Sequence, residues 1–170
     1  MHKTALQMKA ILENVTNLRP NGDDFRWYLK FKCNNCGEES DKWMYLSLEE
    51  TFPMKGSKGE AHLVTKCKMC SRDCSVDVFP KPLDILSDMI SKYTNEDSNT
   101  FKTIAAFDCR GLSIIDYSPR IGFVCEGTDS GTAFDDVNLE DNDWVDYDEK
   151  SNASVRVYDL QFKFITMKGK

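Results

Sequence analysis

The sequence predicts an all-β, single-domain protein: an irregular β-sandwich or barrel-like fold over residues 1–170. Apolar residues recur with a period of two in several short runs, and clusters of Pro, Gly, Asn and Asp separate those runs. Two Cys-x-x-Cys pairs add a third observation, since they predict a zinc-ribbon-like hairpin that carries a metal site. A length of 170 residues is typical of one domain.

The predicted strands alternate apolar and polar side chains, as a half-buried strand does. The apolar positions are Phe25, Trp27, Leu29 and Phe31; Met44, Leu46 and Leu48; Val76 and Val78; and Tyr158, Leu160, Phe162 and Phe164. A further run places Phe101, Thr103, Ala105 and Phe107 on one face. Residues 6–12 also alternate, through Leu6, Met8, Ala10 and Leu12, but Leu6, Ala10 and Glu13 fit a helical spacing as well. Both a strand and a helix are therefore expected alternatives there.

One segment differs in period. Leu83, Leu86 and Ile90 follow a helical spacing, and Pro82 suits the first turn of a helix. We expect a short helix near residues 82–92, followed by a polar, mobile loop over residues 94–100.

Charge is unevenly distributed along the chain. The net charge is -6, yet residues 121–149 contain ten acids and no Lys or Arg, so the remaining residues carry +4. This balance argues against a general nucleic-acid binder. The acidic segment also contains apolar residues, which predict that it packs on the β core and displays an acidic surface. These residues are Phe134, Val137, Leu139, Trp144, Val145 and Tyr147.

Seven cysteines without a signal peptide indicate a reducing compartment rather than a disulfide framework. No apolar run approaches the ~20 residues of a membrane span. We expect a cytoplasmic protein, with nuclear access possible and no membrane partner.

Cys33, Cys36, Cys67 and Cys70 are the predicted metal ligands. In each Cys-x-x-Cys turn two sulfurs reach one ion, and Gly37 allows the first turn to close. A hairpin formed by residues 43–48 and 61–66 is expected to bring the two turns together. Four thiolates with no open position favour one structural Zn²⁺ per chain, although iron fits the same geometry.

Other residues near the turns have secondary interpretations. Positive side chains at Lys30, Lys32, Lys66, Lys68 and Arg72 could offset the charge of the site. Cys74 could be an alternative ligand or a resolving thiol, but it is expected, like Cys109 and Cys125, to be a small buried side chain. His62 is expected to be a strand side chain.

No group of residues combines a nucleophile with its base, so the sequence predicts no enzyme. Aromatic side chains lie among basic ones at Trp27, Tyr28, Phe31, Trp43 and Tyr45. They could stack on single-stranded nucleic acid, although aromatic alternation more often builds a core.

The sequence resembles the eukaryotic CXXC-motif-containing zinc-binding protein family over nearly its whole length. The resemblance is carried by Ala5–Pro20, Phe25–Glu38, Lys66–Cys70, Phe101–Leu112 and Ser130–Lys150. It implies a small cytosolic, mainly β protein with one Zn²⁺ on the same four cysteines. Compared with the family, the stretch from Pro80 looks longer here, and we expect residues 80–100 to be a family-variable insertion or loop.

The favoured function is binding: zinc fixes two loops, and a protein partner uses the acidic or aromatic surface of a monomer. The alternative is a metal-handling or thiol-redox protein, such as a metal chaperone or buffer. A nucleic-acid-binding zinc ribbon is the least favoured function.

Overall fold

The computed structural model describes residues 2–56, 58–79 and 92–167. The helix predicted near residues 82–92 lies, except for residue 92, outside the described residues. Within these ranges the secondary structure is strands and one short 3₁₀ turn, with no α-helix and hence no helix that could span a membrane. The predicted all-β class is confirmed.

The part of the chain that the structure describes contains fourteen strands. They are β1 (His2–Glu13), β2 (Val15–Pro20), β3 (Trp27–Cys33), β4 (Met44–Leu46), β5 (Phe52–Pro53), β6 (Glu60–Ala61), β7 (Leu63–Lys66), β8 (Asp73–Val78), β9 (Lys102–Arg110), β10 (Leu112–Ser118), β11 (Phe123–Gly127), β12 (Ala133–Val137), β13 (Asp143–Asp148) and β14 (Ala153–Thr166). A six-stranded antiparallel sheet has the order β13-β14-β1-β9-β8-β7 and curls into a half-barrel. Two three-stranded sheets, β10-β3-β4 and β12-β11-β2, and the β5-β6 pair complete the fold.

Aromatic side chains join the sheets across one core. The Trp27 ring of β3 lies 5.9 Å from Phe107 of β9 and 5.7 Å from Tyr117 of β10. Phe25, just before β3, contacts Phe123 of β11 at 4.9 Å. Such edge-on and tilted contacts are favoured by the ring quadrupoles, and the burial of these rings drives the sheets together.

The predicted hairpin of residues 43–48 with 61–66 is wrong. Strand β4 pairs with β3, with Trp27 opposite Leu46, and β7 pairs with β8, with Lys66 opposite Asp73. The connections from β3 to β4 and from β7 to β8 are shorter than the one from β4 to β7, so less chain entropy opposes these pairings. Residues between β4 and β7 form the separate β5-β6 ladder instead.

The N-terminal run is a strand, which settles the alternative between strand and helix in β1. Its pairing with β14 contains a bulge, because Lys9 lies opposite Gln161 and Ile11 lies opposite Tyr158. The positive φ of 52° at Asp159 marks the extra residue. As a result Val155 and Val157 are buried with Leu160, while Tyr158, predicted to share the face of Leu160, is only half-buried.

The polar loop predicted over residues 94–100 is a folded turn. A 3₁₀ turn, η1 (Asn95–Asp97), follows the buried Tyr93, whose backbone N–H and carbonyl both bond to Leu18. The segment also bonds to β1 beyond the end of its pairing with β9, because Asn99 N–H donates to the Ala10 carbonyl at 2.7 Å. It therefore satisfies backbone groups of β1 in place of a neighbouring strand.

The acidic segment packs on the core in part, as expected. Phe134, Val137 and Leu139 are buried, and Trp144 lies 5.5 Å from the Phe134 ring. The prediction is wrong for Val145 and Tyr147, which are 61% and 50% exposed. Alternation along β13 turns them to solvent while their neighbours Trp144 and Asp148 face inward.

Asp148 is a buried acid that sequence reasoning assigned to the surface. Its carboxylate accepts hydrogen bonds from the Ser130 and Thr132 hydroxyls, the latter at 2.8 Å, and from the Lys150 N–H at 3.1 Å. Together these donors lower the Asp148 pKa to about 2, and the hydrogen bond from Ser130 makes the largest contribution. A Cβ on Gly127 would approach the carboxylate within 2.5 Å of Oδ2, so this arrangement requires glycine there.

Candidate metal centre

The two Cys-x-x-Cys turns have the same backbone geometry, and we call them the knuckles: knuckle 1 is residues 33–38 and knuckle 2 is residues 67–72. In knuckle 1 the Gly37 N–H donates to the Cys33 carbonyl and the Cys33 N–H donates to the Glu38 carbonyl, both at 2.9 Å. In knuckle 2 the Ser71 N–H donates to the Cys67 carbonyl and the Cys67 N–H donates to the Arg72 carbonyl, again at 2.9 Å. Each knuckle is therefore a small turn closed at both ends.

The fifth residue of each knuckle adopts a left-handed conformation. Gly37 has a φ of 79°, which glycine adopts without strain, whereas Ser71 has a φ of 63°. Gly37 is therefore a sequence signal for the turn in knuckle 1. Knuckle 2 has no such signal, because Ser71 adopts the left-handed conformation despite its strain.

The structure brings the four predicted ligands together. All four Sγ atoms of Cys33, Cys36, Cys67 and Cys70 lie within 4.8 Å of one another. Across the two knuckles, Cys33 Sγ is 3.6 Å from Cys70 Sγ and Cys36 Sγ is 3.5 Å from Cys67 Sγ. A tetrahedral zinc with Zn–S bonds of about 2.3 Å requires sulfur separations of roughly 3.8 Å, so this set fits Zn²⁺.

Knuckle 1 ends a strand of one sheet and knuckle 2 ends a strand of another. Cys33 is the last residue of β3, in the β10-β3-β4 sheet, and Cys67 directly follows β7, at the edge of the six-stranded sheet. A shared ion at this position joins two sheets rather than the two strands of one hairpin.

Hydrogen bonds to sulfur favour the thiolate form of two ligands. Backbone N–H groups of Cys36 and Asn35 lower the Cys33 pKa. The Asn35 side-chain amide and the Arg72 N–H lower the Cys70 pKa to about 6. Asn35 is a site residue that sequence reasoning missed, since only the folded arrangement places the amide of knuckle 1 against a sulfur of knuckle 2.

The pKa of Cys36 shows why the four clustered thiols need a cation. The Glu38 N–H donates to its sulfur and lowers its pKa, but desolvation and the neighbouring thiols outweigh that bond and raise the pKa to about 12. Four thiolates at these distances repel one another, and a divalent ion is the group that offsets this repulsion.

The other three cysteines lie outside this cluster, buried as expected. Burial raises the pKa of Cys74, and it raises the pKa values of Cys109 and Cys125 to about 12. The Cys74 Sγ lies 3.6 Å from the Arg72 carbonyl, beneath knuckle 2. His62 is also buried away from the thiols, and its Nδ1 accepts the Val78 N–H at 2.9 Å.

A cleft of about 370 Å³ lies beside the metal site, between residues 38–42 and knuckle 2. Phe31, Met44 and Leu112 supply apolar lining, and Cys33 and Cys67 reach it from the metal site. Met69, at the tip of knuckle 2, also lines the cleft and is 70% exposed.

The predicted positive side chains are partly engaged elsewhere. Lys66 Nζ lies 4.0 Å from Asp73, and Lys30 Nζ lies over the Trp43 ring at 4.7 Å. Lys68 and Lys66 border the cleft, where their charge adjoins the thiolates. Arg72 belongs to knuckle 2, and the Lys32 side chain passes beside Gly37 of knuckle 1.

Comparison with known proteins matches this site and fold to one family. The family model described as "CXXC motif containing zinc binding protein, eukaryotic" matches residues 5–165. A Homo sapiens protein named CXXC motif containing zinc binding protein is 53% identical over 165 residues, which is 97% of this chain and 99% of that relative.

Two solved structures share the whole fold. The crystal structure of C1orf123 is 51% identical with a TM-score of 0.88, covering 97% of this chain and 99% of that one. A hypothetical protein from Plasmodium falciparum is 25% identical with a TM-score of 0.84, covering 97% and 100% of the two chains. The chain therefore belongs to the eukaryotic family of CXXC motif containing zinc binding proteins.

Proposed function

We propose that this chain is a zinc-stabilised protein-interaction module. One Zn²⁺ held by Cys33, Cys36, Cys67 and Cys70 fixes both knuckles, and a partner protein docks on the surface that they form. A site filled by four thiolates has no open position for a substrate, which favours a structural ion over a catalytic one.

The observation that carries this proposal is the exposed Met69 beside the cleft. A methionine that is 70% exposed at the tip of a metal-fixed turn offers an adaptable apolar contact. The cleft combines an apolar floor with a rim of Glu38, Glu39 and Lys68, the distribution typical of protein interfaces.

Metal handling is the second candidate, because solvent reaches three of the ligands. Cys36 is exposed and Cys67 and Cys70 are half-buried, so a competing ligand has access to the ion. Thiol-redox chemistry depends on the same four cysteines, since burial keeps the other three protonated.

Affinity capture from native lysate with tagged wild type, Met69→Asp and Ile121→Asp tests the proposal. Ile121 is a matched control, because it is 58% exposed and its neighbour Gly122 lies against Phe25, which precedes β3, whereas Cys33 ends that strand. We expect a stoichiometric partner with wild type and Ile121→Asp, and loss of that partner with Met69→Asp, while elemental analysis finds one zinc per chain in all three.

A partner retained by Met69→Asp, or no stoichiometric partner for wild type, would contradict the proposal. Rapid transfer of zinc from the wild type to a weak chelator would favour metal handling instead.

A further inference from the structure

The aromatic and basic residues noted in the sequence separate onto two faces of β3. Trp27 and Phe31 are buried in the core. Tyr28, Lys30 and Lys32 alternate with them and face outward, as the period of a strand requires. Of the five aromatic side chains that could have formed a stacking surface, Tyr28, Trp43 and Tyr45 therefore remain outside.

Each outward ring carries a cation. The Arg120 guanidinium lies 3.9 Å from the Tyr28 ring centroid, and the Arg26 guanidinium lies 4.4 Å from that of Tyr45. Lys30 covers Trp43 in the same way, and the Tyr28 and Tyr45 rings lie 5.8 Å apart across β3 and β4. We call Arg26, Tyr28, Lys30, Trp43, Tyr45 and Arg120 the cation–aromatic face.

The face also has acidic neighbours. A hydrogen bond with Tyr28 and, less strongly, the charge of Glu50 raise the pKa of Arg26, and Asp116 lies opposite Lys30 in the pairing of β10 with β3. Within residues 2–56, 58–79 and 92–167, none of Arg26, Lys30 and Arg120 forms an ion pair with a carboxylate. A cation over a ring is held by about 0.5–1 kcal/mol at an exposed site. Arg120 Nε also donates to the Ser118 hydroxyl at 3.2 Å, which leaves the two terminal nitrogens of its guanidinium for a ligand. In a chain of net charge -6, three such cations on one face are an anion-binding arrangement.

Strand β3 gives the face an extended axis, because Tyr28 and Lys30 are successive outward positions of that strand. Outward positions of a strand repeat every ~6.6–6.8 Å, which is also the spacing of alternate side chains in an extended peptide. A guanidinium held over a ring keeps its planar fork of donors, which can bind both oxygens of a carboxylate.

We propose that the cation–aromatic face binds an extended acidic segment of a partner protein, with alternate carboxylates meeting Arg26, Arg120 and Lys30. This goes beyond the interaction proposed for the cleft and does not depend on it, since Arg26 precedes β3 and the cleft adjoins its far end. The observations favour a peptide over single-stranded nucleic acid, because the rings that would stack on bases already carry cations.

Fluorescence anisotropy with a labelled peptide of alternating Glu and Thr tests this proposal in the full-length protein. Arg26→Gln/Arg120→Gln removes two cations from the face. Lys9→Gln/Lys163→Gln is the matched control, because Lys9 and Lys163 lie over Phe101 at 5.7 and 4.1 Å on another surface. Both double variants lose two positive charges, so general electrostatics affects them equally.

We expect the face variant to weaken peptide binding by about tenfold or more, and the control to change it less than about twofold. Arg26→Lys/Arg120→Lys should weaken peptide binding by an intermediate amount. Lysine keeps the positive charge but lacks the planar guanidinium that binds both oxygens of a carboxylate. Equal losses in the two Gln variants, no binding by the wild type, or tighter binding of an oligothymidylate than of the peptide would overturn the proposal.

Discussion

The Tyr93 hydroxyl lies 3.1 Å from the backbone nitrogen of Ala10, a residue 83 positions away, and accepts its N–H. The same oxygen lies 2.6 Å from the Asp97 carbonyl and 2.7 Å from the Thr100 carbonyl. One buried hydroxyl thus connects β1, opposite the bulge of β14, to the segment of residues 93–100, which takes the place of a neighbouring strand.

Tyr93→Phe should therefore destabilise the protein by roughly 1–3 kcal/mol, because it leaves a buried N–H without a partner while it keeps the ring. Urea denaturation of wild type and variant, both loaded with zinc, measures the difference. Tyr147→Phe, which removes a hydroxyl from a ring that is 50% exposed, should change the free energy of unfolding by less than about 0.5 kcal/mol. Equal effects of the two substitutions would contradict this role of Tyr93.

Ser71→Gly should stabilise the zinc-bound protein by roughly 0.5–1 kcal/mol. Ser71 adopts the positive φ that Gly37 adopts in the other knuckle, and glycine removes the steric cost of that conformation. Thermal denaturation compares it with Ser71→Ala, which keeps a Cβ and should give no gain. A stability of Ser71→Gly at or below that of wild type would show that the backbone there is unstrained.

Asp148→Asn should destabilise the protein at neutral pH and have little effect in acid. Because the folded protein lowers the Asp148 pKa to about 2, below the ordinary 3.8, its contribution is complete above the unfolded-state pKa and is lost as pH falls from about 4 to 2. Urea midpoints of both proteins at pH 7 and near pH 2 measure this loss. Acid also releases zinc, so the difference between the two proteins, rather than either midpoint, is the informative quantity.

Asp135→Asn is a suitable comparison for that experiment, since Asp135 is exposed on β12. Its effect should stay small at both pH values. A difference between Asp148→Asn and wild type that persists unchanged in acid would exclude ionisation of Asp148 as the source of its contribution.

Cys36→Ser should abolish stoichiometric zinc binding, although Cys36 is exposed and contributes little packing. Removal of one thiolate leaves three protein ligands and opens the site, so the ion is held less tightly. Elemental analysis of protein purified without added metal measures the content. Cys125→Ala, which changes a buried thiol away from the cluster, should retain one zinc per chain.

Much of the fold was predictable where a strand alternates without interruption. The pattern identified β3, β8 and β9 from their apolar positions alone. The pattern failed where a bulge inserts an extra residue and so shifts the alternation of faces. The bulge at Asp159 turns Tyr158 away from the face predicted for it, and the pairing of β10 shifts between Ile114 and Asp116. Such bulges depend on the partner strand, which a single run of sequence does not contain.

The metal ligands were predictable because a Cys-x-x-Cys turn is local, so the spacing itself places two sulfurs on one side. The surroundings of the site were not. The Asn35 amide reaches Cys70 only after two sheets have met, and the pairing of the knuckles depends on which strands form hairpins. The entropy cost of loop closure, rather than the local apolar pattern, determined which strands form hairpins.

The position of the thiols at the ends of β3 and β7 links metal affinity to the docking of two sheets. An ion that binds only the docked arrangement stabilises it, and by reciprocity any contact that favours docking raises the apparent affinity for zinc. Trp27, at the aromatic junction with Phe107, belongs to the same strand as Cys33 and holds it against the six-stranded sheet. Zinc occupancy in the cell therefore depends on core packing, so a core substitution remote from every thiol lowers the metal content of the protein at limiting zinc.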